Sequence, residues 1–356
     1  MLLKRKLKKS FIIILFIISF FCLSFGIILY VCGPIERNSE DVIELTIDNG
    51  TTSSQIANIL KDKGLIRSTF LFKAFIKLYN VNSLKASTYQ FSKSMSMKDI
   101  IFSMEKGSKY NPDMIKLTFR EGLRVTDYIN VIANNTNNSY DDVLNAFQDR
   151  EYLNTLINKY WFLSDQILSD GIYYPLEGYL YPETYYFDNK DVSVREVIET
   201  MLDEMSKNLE KYKDSLEKDV HYYLTMASIV ELEGTNTDNR KKIVGVFNNR
   251  LNRKMNLGSD VTTYYGLQLP QTRDLTKDEF DSVNLYNTRS VTMIGKMPIG
   301  PICNPSSSSI EASVFPIDSN YLFFVADKNG KIYFTETNKE HEQKIKEIKA
   351  SGNWIW

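Results

Sequence analysis

From residue 11 to residue 32 the chain reads FIIILFIISFFCLSFGIILYVC, an apolar run with no charge in it. About 20 apolar residues cross the hydrocarbon core as a helix, so the run predicts a membrane-spanning helix. A polar linker, residues 33–42, follows. Ile43, Leu45 and Ile47 then alternate with polar neighbours, which predicts a strand. Asn49-Gly50 marks a turn. Ser53 or Ser54 is placed to cap a helix whose apolar face carries Ile56, Ile59 and Leu60. The pattern returns 72 residues later. Ile43, Leu45, Thr46, Gly50, Ser54, Asn58 and Ile59 match Ile115, Leu117, Thr118, Gly122, Thr126, Asn130 and Val131. A repeat that keeps strand, turn, cap and helix together predicts two copies of one small unit.

Residues 173–187, YYPLEGYLYPETYYF, are interrupted by two prolines and a glycine, which predicts a rigid aromatic connection and not a helix. Helical spacing then runs from about residue 191 to 235 with one polar break, and Gly234 is placed to stop it. A second helix is expected over 239–255. Residues 256–310 carry Gly, Pro, Asn and Ser throughout and read as mostly loop. NYLFFVAD and KIYFTET, split by Lys328-Asn329-Gly330, predict a hairpin, and HEQKIKEIKA a terminal helix. The expected fold class is α+β.

The 356 residues are too many for one small core. KRKLKK at residues 4–9 precedes the apolar run, and ERNSED at 36–41 follows it. The positive-inside rule therefore puts residues 1–10 in the cytoplasm and the chain after 33 outside, on a single-pass anchor in the cell membrane. The run is long for a signal peptide, and no small-x-small cleavage site follows it. A net charge of -1 gives no basic field for nucleic acid. Cys22 and Cys32 lie in or beside the apolar run, which leaves Cys303 alone outside. His221 and His341 are distant from each other, and no Cys/His cluster has zinc spacing. No nucleotide-binding glycine motif and no GxSxG elbow occurs, and no metal or organic cofactor is implied.

Carboxylates remain, and ASIVELEG at 227–234 holds two of them. At 100° per residue Leu224, Ala227, Ser228 and Glu231 share one helix face, while Glu233 lies on the opposite side. The two are therefore no proton-sharing dyad. The apolar face favours Glu231 for a partly buried site, where burial raises a carboxyl pKa toward what a general acid needs. The alternative is that both are solvated, or paired with Arg240 or Arg250.

Several stretches in this order carry a resemblance: LEGYLYPETYYF, ASIVELE, VFNNRLNRKMNLGSDVTTYYGL, YNTRSV, MPIGPICNPS and YLFFVADKNGKIYFTETNKEH. They resemble the endolytic murein transglycosylases (MltG/YceG-like) over nearly the whole chain, and the repeat units resemble LysM modules, which bind glycans. The resemblance implies a LysM-like module at 43–108 and a second strand-helix unit with its Tyr/Pro-rich connection at 109–190. It implies a mixed α+β catalytic domain at 191–356. The implied reaction cuts nascent peptidoglycan between MurNAc and GlcNAc without water and leaves 1,6-anhydro-MurNAc ends. Glu231 is then the general acid and later the base, and Glu233 orients or braces. Asn249, Arg250, Ser259, Asp260, Thr262, Tyr286, Asn287, Thr288 and Asn304 line the cleft, with Asp260 stabilising an oxocarbenium-like state. Cell-wall synthases are the implied protein partners. Val261, Ile299 and Gly234 stand where the family has Pro, Pro and often Thr. A lysozyme-like hydrolase would need a further carboxylate. A catalytically inactive peptidoglycan-binding scaffold would need only the repeats and the anchor.

Overall fold

The computed structural model describes the backbone of residues 2–354 apart from 82 and 109, and the side chains of residues 16–354 apart from 17, 82 and 109. The fold is α+β. It divides into two compact units, Met1–Asp113 and Met114–Trp356.

The first unit opens with α1 (Leu2–Cys32). Phe16, Phe20, Phe21, Leu23 and Phe25 on it are each more than half exposed. The expected span begins at residue 11, where side chains lie outside the described residues. Residues 16–32 alone fall short of the about 20 needed. Among the described residues no helix is long and apolar enough to cross a membrane. Next come β1 (Val42–Ile47), α2 (Ser53–Asp62), α3 (Thr69–Leu78), β2 (Ser87–Ser92) and α4 (Met97–Lys106). β1 and β2 pair antiparallel, with Leu45 opposite Tyr89. The cap of α2 is Thr52, not Ser53 or Ser54. Its side chain accepts from Gln55 N–H while the Gln55 side chain returns a bond to the Thr52 backbone. That reciprocal box satisfies two orphan donors, which moves the helix start one residue earlier than expected.

The second unit holds β3 (Ile115–Thr118), α5 (Val125–Asn135), α6 (Tyr140–Gln148), α7 (Arg150–Lys159), β4 (Thr184–Phe187) and α8 (Val194–Glu210). It continues with α9 (Val220–Glu233), α10 (Thr237–Asn252), α11 (Asp260–Gly266), α12 (Lys277–Phe280) and α13 (Ser307–Val314). It closes with the hairpin β5 (Phe323–Ala326) and β6 (Ile332–Thr335), then α14 (Asn338–Ala350). β3 pairs with β4 and β5 with β6, both antiparallel. The segment expected to be mostly loop contains α11. Its run Asp260-Val261-Thr262-Thr263 is short and polar, and no period of 3.6 shows in it.

α9 is the axis of this unit. Every residue from Val220 to Val230 except Tyr222 is buried. Leu224 and Ala227 join a core with α5, α6 and α8, while Met226, Ile229 and Val230 join another with α10 and α11. A helix that is apolar all round is a core helix. Only its last turn leaves the core, and that turn carries both glutamates.

Candidate active site

α9 starts at Asp219, whose side chain accepts from Tyr222 N–H. It ends at Gly234, whose φ of -107° is open to any residue. Glycine is needed there because of packing. A Cβ at that position would lie 2.5 Å from Arg240 Cγ.

The two glutamates of the last turn have opposite surroundings. Glu231 is held by three donors. Arg240 Nη2 reaches Oε1 at 2.8 Å, and Ser306 reaches Oε2 through its backbone N–H at 2.8 Å and its hydroxyl at 2.5 Å. Its side chain is 5 % exposed and that of Arg240 14 %. Arg240 also donates through Nε to Gly234 O and through Nη1 to Ser308 Oγ.

Among the described residues the Glu233 carboxyl group has one hydrogen-bonding partner, Ser259, whose hydroxyl donates at 2.5 Å. Burial pushes its pKa up. The Asp260 charge adds to that shift, while the Ser259 bond, Arg289 and Arg250 oppose it. Beneath it lies a hydroxyl floor. Ser259 N–H donates to Thr288 Oγ1 at 3.0 Å, and Thr262 Oγ1 donates to Ser259 O at 2.6 Å. The Thr262 and Thr288 hydroxyls meet at 2.8 Å. Thr263 donates to Asn287 Oδ1, and the Asn287 amide ties down Phe280 O and Ser282 O. Beside this floor an Asp260–Arg289 ion pair stands half exposed.

The expected site residues therefore separate. Ser259, Thr262, Asn287 and Thr288 form the Glu233 floor, with Asp260 beside it. Arg250 acts on Glu233 through its charge, but its hydrogen bonds go to Leu257 O and Leu322 O. Asn249 points elsewhere, bonding Ser319 O and Tyr321 O. Tyr286 is buried, with its ring edge-on to Tyr265 and tilted against the more exposed Tyr173. Asn304 binds backbone groups of Gly178 and Leu180. The polar ring expected around Glu231 stands around Glu233, because Glu231 turns toward α10 and the loop before α13. Sequence reasoning placed no role on Ser306, Arg289 or Glu177. Ser306 opens α13 as its N-cap, a signal available in the run Pro305-Ser306. Among the described residues, no group of three or more His, Cys, Asp or Glu side chains could hold a metal ion.

The chain is similar to known proteins over most of its length. The model of the YceG-like family matches residues 45–347. The endolytic murein transglycosylase of Bacillus subtilis (strain 168) is 35% identical over 325 residues, covering 90% of this chain and 88% of that protein. The protein of the same name in Streptococcus pneumoniae serotype 2 is 33% identical over 331 residues, covering 88% of this chain and 60% of that longer relative. A yceG-like protein of Listeria monocytogenes, solved as a crystal structure, superposes with a TM-score of 0.61 at 35% identity. The match covers 86% of this chain and all of that one.

Proposed function

The chain belongs to the YceG-like family, and we propose that it cuts nascent glycan strands between MurNAc and GlcNAc with Glu233 as the proton donor. The enzyme class is that of its relatives, a lytic transglycosylase acting on peptidoglycan. The contrast within the last turn of α9 carries the choice of acid. A general acid must hold a proton near neutral pH. Glu233 is half-buried and its surroundings push its pKa up, whereas Glu231 faces a guanidinium and two more donors. This reverses the roles expected from the sequence. Glu231 becomes the brace that fixes the turn against Arg240 and Ser306.

In this reading Glu233 gives its proton to the glycosidic oxygen as the C1–O bond breaks. It then takes the proton of the C6 hydroxyl as that oxygen closes on C1. No water enters, and the product end is 1,6-anhydro-MurNAc. Asp260, held by Arg289, faces the positive charge that develops at C1. The reading includes a membrane anchor, supported by the exposed apolar side chains of α1, and a LysM-like role for the first unit. Docking on cell-wall synthases belongs to it too, with the family resemblance as support.

The full chain in detergent, with Glu233→Gln and Glu231→Gln, is incubated with uncrosslinked glycan strands, and the ends are read by mass spectrometry. Anhydro ends from the parent, abolished in Glu233→Gln and reduced in Glu231→Gln, are expected. Abolition by Glu231→Gln alone would return the acid to Glu231, and reducing ends would mean a hydrolase. The pH profile has a fixed sign. Glu233 must be protonated, so kcat/KM falls as pH rises through its raised pKa. The same shift gives stability that is full below the ordinary Glu value and lost as pH rises through the folded one.

A further inference from the structure

The aromatic connection contains a buried carboxyl group that this reaction scheme does not use. Glu177 is 2 % exposed and sits in the core of the second unit. Among the described residues its carboxyl group is met by three donor groups. Val125 N–H reaches both of its oxygens, at 3.0 and 3.2 Å. The Tyr265 hydroxyl reaches Oε2 at 3.1 Å, and the Asn304 amide reaches Oε1 at 3.4 Å.

We propose that Glu177 is a positioning residue for the transglycosylase reaction, a buried hub that sets the last turn of α9 from two sides. One side runs through Asn304. Its Oδ1 accepts from Gly178 and Leu180 N–H, its backbone N–H donates to Leu123 O, and its carbonyl accepts from Gly122 N–H. Two residues later Ser306 grips Glu231. The other side runs through Tyr265 on α11. That helix begins directly after Ser259, the residue that donates to Glu233. One buried carboxyl group thus links the segment holding Glu231 to the segment holding Glu233.

The chemistry specifies a carboxyl group. Burial pushes the Glu177 pKa up to about 8. Val125 N–H reaches both of its oxygens, so a glutamine of the same shape must turn its NH2 toward a donor in either orientation. Glu177→Gln therefore keeps the volume and breaks at least one bond of the hub. A hub that only held the fold would cost stability and leave turnover per folded enzyme unchanged. A positioning hub lowers kcat, because a displacement of about 1 Å at a reacting group costs about a hundredfold.

The proposal rests on the function above. Its test measures kcat and KM on glycan strands, and the melting temperature, for the full chain, Glu177→Gln and Val143→Ala. Val143 is fully buried on α6, in a core it shares with α5 and α8, and reports pure loss of stability. The expected result is a kcat about a hundredfold lower in Glu177→Gln with KM little changed, and parent turnover in folded Val143→Ala. Parent kcat in Glu177→Gln, or a loss matched by Val143→Ala, overturns the hub while the parent's anhydro products leave the function standing. A parent that cuts no strand overturns both. If Glu177→Gln does not fold, Tyr265→Phe removes one donor and keeps the ring. Its kcat is expected to fall severalfold at unchanged KM, and an unchanged kcat overturns the proposal.

Discussion

The strand, turn and helix at 42–62 and those at 115–135 are built alike but finished differently. Leu45 and Ile47 are buried on the first strand, as Leu117 and Phe119 are in and just after the second. Ile56, Ala57 and Leu60 face the first core from α2, and Tyr128, Ile129 and Ile132 occupy the same places on α5. Each copy pairs with an antiparallel strand of related sequence. Thr46 meets the Thr88 hydroxyl at 3.0 Å, and Thr118 meets that of Thr184 at 3.1 Å. Tyr89 and Tyr185 each donate to the carbonyl four residues before. The first helix is capped locally, by Thr52 and Gln55. In the second, Arg124 stands in the cap position and its side chain makes no cap bond. The acceptor for Val125 N–H comes from Glu177 instead, 52 residues away. A local cap serves one helix. A distant one ties the helix start to whatever else shares the acceptor, and here that includes the segments around both glutamates.

The largest effect expected from this difference is at Asn304. Asn304→Ala removes the acceptor of two buried N–H groups, at about 1–3 kcal/mol each. Loss of about 3 kcal/mol, or a melting temperature lower by about 6–12 °C, is expected together with loss of strand cleavage. Differential scanning calorimetry with a cleavage assay checks it. A variant that melts lower but cuts at the parent rate would show that the second copy is finished for stability alone.

The turns give the next contrast. Gly50 and Gly122 have φ of 85° and 76°, where a side chain costs roughly 1–2 kcal/mol. A Cβ at Gly50 meets nothing within 4 Å, while one at Gly122 lies 3.5 Å from Leu232 and 3.8 Å from Glu231 Cγ. Gly50→Ala and Gly122→Ala are expected to lose similar stability, but only Gly122→Ala to lower kcat. Equal kcat in the two would remove the functional half of the comparison.

Much of this was legible in the chain. Alternation over 43–47, the glycine turns and the spacing of Ile56 and Leu60 are local signals, and the repeat exposed them twice. The returning strands were not matched, although Thr88-Tyr89-Gln90-Phe91 resembles Thr184-Tyr185-Tyr186-Phe187. The second copy carries α6, α7 and the aromatic connection before its return, so no constant spacing links the two. The helical wheel put Glu231 and Glu233 on opposite sides of α9. It could not say what each side meets, because Arg240, Ser259 and Ser306 arrive from three separate segments. The wheel pointed to a partly buried Glu231, whose side chain is 5 % exposed, and pairing with Arg240 on the next helix was the alternative the sequence held open.

The smallest effect is at the caps themselves, and it isolates the local-versus-distant distinction. Thr52→Ala removes the side chain that accepts from Gln55 N–H, at about 1 kcal/mol. Arg124→Ala removes a side chain that caps nothing. Its Nη2 bonds Leu269 O, and its guanidinium lies 5.1 Å from the Tyr265 ring centroid. Amide hydrogen exchange separates the two. Gln55 is expected to lose protection in Thr52→Ala, with strand cleavage unchanged. Val125 is expected to keep its protection in Arg124→Ala, because the Glu177 carboxylate is still there to accept. Loss of protection at Val125 would mean that the second helix start depends on its own residue after all, and that the distant carboxylate follows the helix and does not hold it.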